Sequence, residues 1–387
     1  MSKKIAVLSN VNMNYVIRLL KKGHQVYEAE GYGNELGILM NEQSSYHAFA
    51  PEITFLIMDL MELLGHELYL PDVQADENGS RGDLCVTVPR LRSWFEQMER
   101  CIRPGQLYYL SDAWLWGPEI GALPDISLGQ QLENQWLQGL VWLQQLPENV
   151  RIFPYRRMIG RLGEENSFSL KTWYLGRILH TNEAQKRMAE EIGRLAAAEA
   201  AVPKKVLLVD LDNTLWGGLA GEREHTPLEL SEDHQGLAYK NAQRVLRLMA
   251  QSGVVLGIVS KNNEEDALAV IREHPHMVLR EEDFAVRRIN WQPKHENIRQ
   301  IADSLNLGLD AMVFWDDNPA ERELVRQMLP QVEVPDFPDS PGELAPALTA
   351  LYRKYFWKPR LTAEDREKTR QYAQNEQRNR LEEQIGD

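Results

Sequence analysis

The sequence predicts an α/β protein made of two doubly wound domains. Short apolar runs of strand type alternate with segments whose apolar residues recur at helical spacing, and they do so in two separate blocks. A helical, alanine-rich stretch lies between the blocks. The length of 387 residues suits two domains, each burying its own core.

In the first block, residues 4–8 (KIAVL), 53–58 (ITFLIM), 106–110 (QLYYL) and 150–154 (VRIFP) are apolar runs of the buried-strand kind. Segments 93–102 and 130–145 carry apolar residues at helical spacing, so a parallel sheet flanked by helices is expected. Residues 182–200 read as one helix with Met188, Ile192, Leu195 and Ala196 on its inner face. Pro203 closes that helix and sets the domain boundary, giving domains at 1–200 and 203–357. In the second block, residues 206–209 (VLLV), 254–259 (VVLGIV) and 311–315 (AMVFW) are predicted central strands. Helices are predicted at 235–251, 264–272, 295–305 and 319–328, with a last strand at 331–334. In such a sheet the ligand site lies at the carboxyl ends of the strands. Residues 358–387 form a charged tail whose sparse apolar residues predict a solvated helix or a frayed end.

Hydrophobic residues at 43% and charged residues at 26% are ordinary globular usage. With 43 Lys+Arg against 57 Asp+Glu, the formal charge of −14 argues against a nucleic-acid or anionic-membrane surface, which needs clustered Lys and Arg. No apolar run is long enough to cross a bilayer, and Asn10 and Asn12 cut the amino-terminal run too short for a signal peptide. Cys85 and Cys101 alone cannot form a disulfide framework or a structural zinc site, so a reducing cytoplasm is the expected setting.

The chemistry gathers at predicted strand ends. The first strand of the second block leads into Asp210-Leu211-Asp212-Asn213-Thr214, with two carboxylates at i and i+2. The second ends in Ser260-Lys261-Asn262, a hydroxyl ahead of a helix N-terminus, where free N–H groups and the dipole favour a phosphoryl oxygen. Lys294 precedes another helix, and the third strand ends in Asp316-Asp317-Asn318-Pro319. Each element alone is an ordinary capped turn; the ordered set at one sheet edge is not. Asp210, Asp212, Asp316 and Asp317 in one cleft would repel unless a cation sat among them, and oxygen ligands with room for phosphate and water suit Mg²⁺. Phosphoryl transfer is the chemistry this predicts.

These motifs resemble the four motifs of the haloacid dehalogenase (HAD) superfamily. VLLVDLDNTLWGG (206–218), GIVSKNNEEDAL (257–268), INWQPKHENI (289–298) and FWDDNPAERELVR (314–326) are similar to its FkbH-type, class IIIC branch. KIAVLSNVN (4–12), the Gly31-Tyr32-Gly33 turn and the strand ending near Asp59 resemble that branch's amino-terminal domain. The resemblance implies that Asp210 is the nucleophile forming an aspartyl-phosphate and that Asp212 is the general acid and then base. It further implies that Thr214 steadies the turn, that Ser260 holds a phosphoryl oxygen and that Lys294 balances charge; Thr214, Lys261 and Asn262 are expected beside Ser260 at the phosphate. Mg²⁺ would be held by Asp210, the Asp212 carbonyl and Asp316, with Asp317 as a second or outer ligand.

The branch also implies a biosynthetic role of polyketide type, in which a glyceryl unit from 1,3-bisphosphoglycerate is loaded onto an acyl or peptidyl carrier protein. The branch's acyl-bearing cysteine precedes the motif-two serine, and here that position is Val259. Residues 218–230 (GLAGEREHTPLEL) depart from the branch's acidic Gly-Glu-Asp-Gly pattern, and the acetyltransferase-like domain of long members is not expected. The expectation is therefore a Mg²⁺-dependent phosphatase or phosphotransferase acting on a small phosphorylated metabolite. A glyceryl transferase and a non-catalytic carrier-protein docking module are the alternatives.

The first block resembles an SGNH-hydrolase-like sheet, with Ser9 after its first strand and His180 ahead of its last helix. Arg177 stands where an orienting carboxylate is usual, so a non-catalytic role is expected there. His274-Pro275-His276 reads as a surface turn, and Trp216, Trp291 and Trp315 are expected to pack around the cleft.

Overall fold

The computed structural model describes residues 2–64, 89–116, 128–145, 149–222, 227–358 and 372. The chain divides into two compact α/β units between Ala200 and Ala201.

Among the described residues, the first unit holds a five-stranded parallel sheet of β1 (Lys4–Ser9), β2 (Gln25–Tyr27), β3 (Ile53–Ile57), β4 (Leu107–Ser111) and β5 (Val150–Phe153), in the order β2-β1-β3-β4-β5. That order turns back at β1, so the crevice between the carboxyl ends of β1 and β3 is its topological switch point. β3 is buried at every position, as a parallel strand covered on both faces must be. One face carries a layer of large rings, in which Trp94, Phe95 and Trp136 pack with centroids 4.8 to 5.2 Å apart. Helix Asn182–Ala200 buries Met188, Ile192, Leu195 and Ala196, as its spacing predicts.

The second unit's sheet comprises β6 (Val206–Val209), β7 (Val255–Ser260), β8 (Phe284–Ile289) and β9 (Met312–Trp315), all parallel, in the order β8-β7-β6-β9. Alternate residues feed two cores. Leu207, Val209, Leu256, Ile258, Val313 and Trp315 pack with helix His234–Gln251 through Tyr239, Ala242 and Leu246. Val206, Leu208, Val255, Val259, Met312 and Phe314 pack on the other side with Ile298, Ile301 and Leu305 of helix Lys294–Leu305. Both faces being covered, the sheet's open functional edge is its carboxyl end.

The sequence reading misses two strands and adds one. β2 has only three residues, and β8 carries Arg287 and Arg288 on an edge strand, so neither shows an uninterrupted apolar run. The strand predicted at 331–334 reduces to an isolated bridge between Val313 and Glu333, ahead of Pro335, which has no N–H to extend a ladder. Tyr372 packs against the second core; the rest of the tail from 359 onward, and Cys85, lie outside the described residues.

Candidate active site

β6, β7 and β9 end side by side, and their registers pair Val209 with Ile258 and with Trp315. The residues that follow are thus delivered to one edge. Asp210 stays in line with the sheet, its N–H donating to the Trp315 carbonyl at 3.1 Å. The chain then turns sharply: Asn213 adopts φ 54°, a left-handed conformation that Asn tolerates, and the Thr214 N–H closes the turn on the Leu211 carbonyl at 3.1 Å.

Lys294 is the centre of the arrangement. It is 3% exposed, and its Nζ lies 2.9 Å from Asp210 Oδ1 and 2.6 Å from Asp316 Oδ2. Burial alone would favour the neutral amine, but Asp210 and Asp316 outweigh it and raise the Lys294 pKa, so the ammonium is charged. Burial, and then the Asp210 charge, push the Asp316 carboxyl up to about 6, and the same two causes raise Asp317. Asp210, Asp316 and Asp317 can each offer an oxygen within 4.8 Å of the others. Three carboxylates against one ammonium leave two negative charges uncompensated, which is the charge of one divalent cation. The Asp210 Oδ1 atom is buried without a directed hydrogen bond, its contact with Lys294 being one of charge. An oxygen-only donor set of this kind fits a hard divalent ion.

Asp212 is held differently. Its Oδ1 accepts from Trp216 Nε1 and from the Ala220 N–H, both at 2.9 Å, while Oδ2 accepts from Asn262 Nδ2 at 2.8 Å. Burial raises its pKa despite these donors. Ser260 is buried at the end of β7, and its hydroxyl makes no hydrogen bond among the described residues. The Thr214 hydroxyl is also buried without a partner among the described residues.

The structure thus brings Asp210, Asp212, Asn262, Lys294, Asp316 and Asp317 into one connected set, with Ser260 and Thr214 on the same turns. Two of the expected phosphate holders are otherwise engaged. Lys261 Nζ pairs with Glu321 Oε1 at 2.6 Å, and the Asn262 amide is committed to Asp212. The helix Glu264–Glu273 has its first free N–H groups capped by Asn263, which accepts from Glu265 and Asp266. Glu321 and Arg322 escaped the sequence reading; Arg322 Nη1 donates to the Asp316 and Asp317 carbonyls. Their one signal is position, in the first turn of the helix that follows the acidic pair. Trp216 and Trp315 are fully buried, as expected of packing residues, but Trp291 is 75% exposed on the loop leading to Lys294.

In the first unit, the Ser9 hydroxyl donates to the Ile57 carbonyl at 2.5 Å, and His180 Nε2 shares a hydrogen bond with the Tyr155 hydroxyl at 2.7 Å. Arg177 packs on Trp173 and faces Glu62 at 3.4 Å. Serine and histidine therefore serve separate structural bonds. His274 and His276 have ring centroids 6.0 Å apart, and His276 lies 3.4 Å from Glu232.

No family model and no curated protein matches the sequence. Among solved structures, the chain is similar to the N-terminal part of the protein BF1531 from Bacteroides fragilis, described as containing a phosphatase domain complexed with Mg. The match has 24% identity and a TM-score of 0.71, and it covers 92% of this chain and 94% of that one. The likeness is one of fold, and it extends across both α/β units. An uncharacterized protein from Corynebacterium glutamicum aligns at 12% identity and TM-score 0.28 over 40% of this chain and 98% of that one. BT4096, a gut microbial diltiazem-metabolizing enzyme, aligns at 12% identity and TM-score 0.31 over 55% and 50%. Neither bears on function. Among the described residues no helix is long and apolar enough to cross a membrane.

Proposed function

We propose that the chain is a Mg²⁺-dependent phosphatase or phosphotransferase of the HAD type, working through an aspartyl-phosphate on a small phosphorylated metabolite. The observation that carries the reading is the buried Lys294 ammonium bridging Asp210 and Asp316, with Asp317 alongside. The Mg-bound phosphatase domain of the similar structure supports it. Asp210, Asp316 and Asp317 would hold Mg²⁺, with the Asp212 carbonyl as the resemblance implies. When bound, the ion supplies positive charge that lets a phosphate enter an acidic cleft and polarises its oxygens.

The residues of the chain then divide the work. An Asp210 oxygen attacks phosphorus, the bond to the leaving oxygen breaks, and that oxygen takes a proton from Asp212. Asp212 Oδ1 already accepts two N–H donors and Oδ2 only one, so Oδ2 is the oxygen free to carry the proton. Water then attacks phosphorus while giving a proton to the Asp212 carboxylate, and the Asp210–phosphorus bond breaks to give phosphate. Lys294 compensates the charge that builds on Asp210 and the phosphoryl group, and the unpaired Ser260 hydroxyl donates to a phosphoryl oxygen.

The first unit, residues 1–200, is read as non-catalytic, because Ser9 is bound to the Ile57 carbonyl and His180 to Tyr155. Val259 is buried in the core with Val255 and Ile298, which favours hydrolysis over an acyl-enzyme route at that position. Glyceryl transfer to a carrier protein in polyketide-type biosynthesis is the competing proposal; a glyceryl mass increase on a phosphopantetheinylated carrier protein would support it.

The test is phosphate release from acetyl phosphate with Mg²⁺, for wild type and Asp210→Asn. Release by the wild type and its loss of at least ~10³-fold in the variant are expected of a removed nucleophile. Equal rates in the two would overturn the mechanism.

A further inference from the structure

Asp316 and Asp317 are consecutive, yet both present oxygens to the same point beside Asp210. In extended backbone, successive side chains point to opposite faces, so the chain leaving β9 must be bent to bring both carboxylates to one place. The bend is gripped from behind. Helix Pro319–Met328 starts with Asn318 as its cap and Pro319 at its first position, and its first turn turns Arg322 back toward the loop. Arg322 Nη1 donates to the Asp316 carbonyl at 2.8 Å and to the Asp317 carbonyl at 2.7 Å. Two consecutive carbonyls converging on one nitrogen define a folded backbone, because in a strand they alternate in direction. On the opposite side, the Asn318 N–H donates to Asp316 Oδ1 at 2.8 Å and Lys294 takes Oδ2. Asp316 is thereby fixed at its carbonyl and at both carboxylate oxygens, and Asp317 is fixed at the carbonyl that Arg322 holds.

We propose that Arg322 is a positioning residue for the acidic loop. It touches neither substrate nor metal; by holding the two carbonyls, it aims the Asp316 and Asp317 carboxylates together and so sets the affinity for a divalent ion. The neighbouring Lys261–Glu321 pair comes from the same helical turn and ties that turn to the end of β7. The inference rests on the metal-dependent reading above, and its test keeps the two apart.

The full chain is titrated with Mn²⁺, and the free ion is followed by electron paramagnetic resonance for wild type, Arg322→Met, Arg322→Gln and Arg322→Lys. Loss of a partner that orients ligands typically weakens metal affinity by about 10- to 100-fold. That loss is expected for Arg322→Met and Arg322→Gln, with partial recovery in Arg322→Lys, and phosphate release by the variants should rise toward wild type as Mg²⁺ is increased. If Arg322→Met does not fold, Arg322→Gln carries the comparison. A residue that only stabilises the fold would lower the metal-free melting temperature and leave Mn²⁺ affinity unmoved, which would overturn the proposal. A wild type that takes up no Mn²⁺ would overturn the metal-dependent function together with this inference; tight wild-type binding matched by the variants would overturn the inference alone.

Discussion

Lys294 shows how a single buried charge can organise a site. Removing one partner of a buried ion pair leaves the others uncompensated, at a typical loss of about 3–5 kcal/mol. Lys294→Met is therefore expected to lower stability strongly without divalent ions, and Mg²⁺ should return part of it because the ion binds only the folded state. Urea denaturation with and without Mg²⁺ checks this; a metal-free variant as stable as wild type would remove Lys294 from the centre of the site. Val259 gives a second test. Its side chain faces the core layer of Val255 and Ile298, so the thiol of Val259→Cys should resist Ellman's reagent until the protein unfolds. Rapid labelling in the native state would reopen the thioester route. At this scale the sequence was most informative about strand-end residues, since Asp210, Ser260 and Asp316 need only their strand to be correctly placed. Arg322 and Glu321 were not legible, because their reach depends on how the loop after β9 folds. Trp291 differs from expectation for a related reason: an indole beside a motif is expected to pack around the cleft, but the loop carries it outward.

Elements are legible where an apolar run is long and uninterrupted. β6 matches its predicted extent, whereas β2 has only three residues and β8 carries Arg287 and Arg288, so neither shows such a run. Gly257 in β7 has a role that spacing alone could not reveal. A Cβ there would lie 2.7 Å from Leu208 Cδ2 and 2.9 Å from Val286 Cγ1, so glycine allows β7 to fit closely between β6 and β8. Gly257→Ala should cost about 1–3 kcal/mol by overpacking, measurable as a lower urea midpoint; an unchanged midpoint would show that the side chains yield freely. The carboxyl edge of the first sheet carries a different signal. Burial pushes Asp59 up to about 7 and His180 down to about 3. Asp59 binds its proton more tightly when folded, so its contribution is complete below the ordinary carboxylate range and is lost as pH rises to about 7. His180 does the reverse: its contribution is complete above the ordinary imidazole value of 6.5 and is lost as pH falls toward about 3. The two oppose each other between pH ~4 and ~6.5. Asp59→Asn should accordingly leave stability rising with pH across that window in a urea series, and a slope unchanged from wild type would show that the Asp59 carboxyl is not so perturbed.

For the whole molecule, the formal charge of −14 gives little guide to the chemistry, because the site depends on a few carboxylates at the end of one sheet and on the lysine among them. What the sequence conveyed well was the division into two α/β units, since each block carries its own alternation of strands and helices. The structure gives that division energetic content. Both core layers of the second unit are drawn from residues after Ala201, and the large-ring layer of the first is drawn from residues before Ala200. A unit that buries its own core can fold alone. The segment 201–387, expressed by itself, is therefore expected to unfold cooperatively in urea and to bind Mn²⁺ with the affinity of the full chain, because Asp210, Lys294, Asp316, Asp317 and Arg322 all lie within it. A non-cooperative transition would show that the first 200 residues complete its fold, and a folded segment with weakened Mn²⁺ binding would show that they help to shape the site.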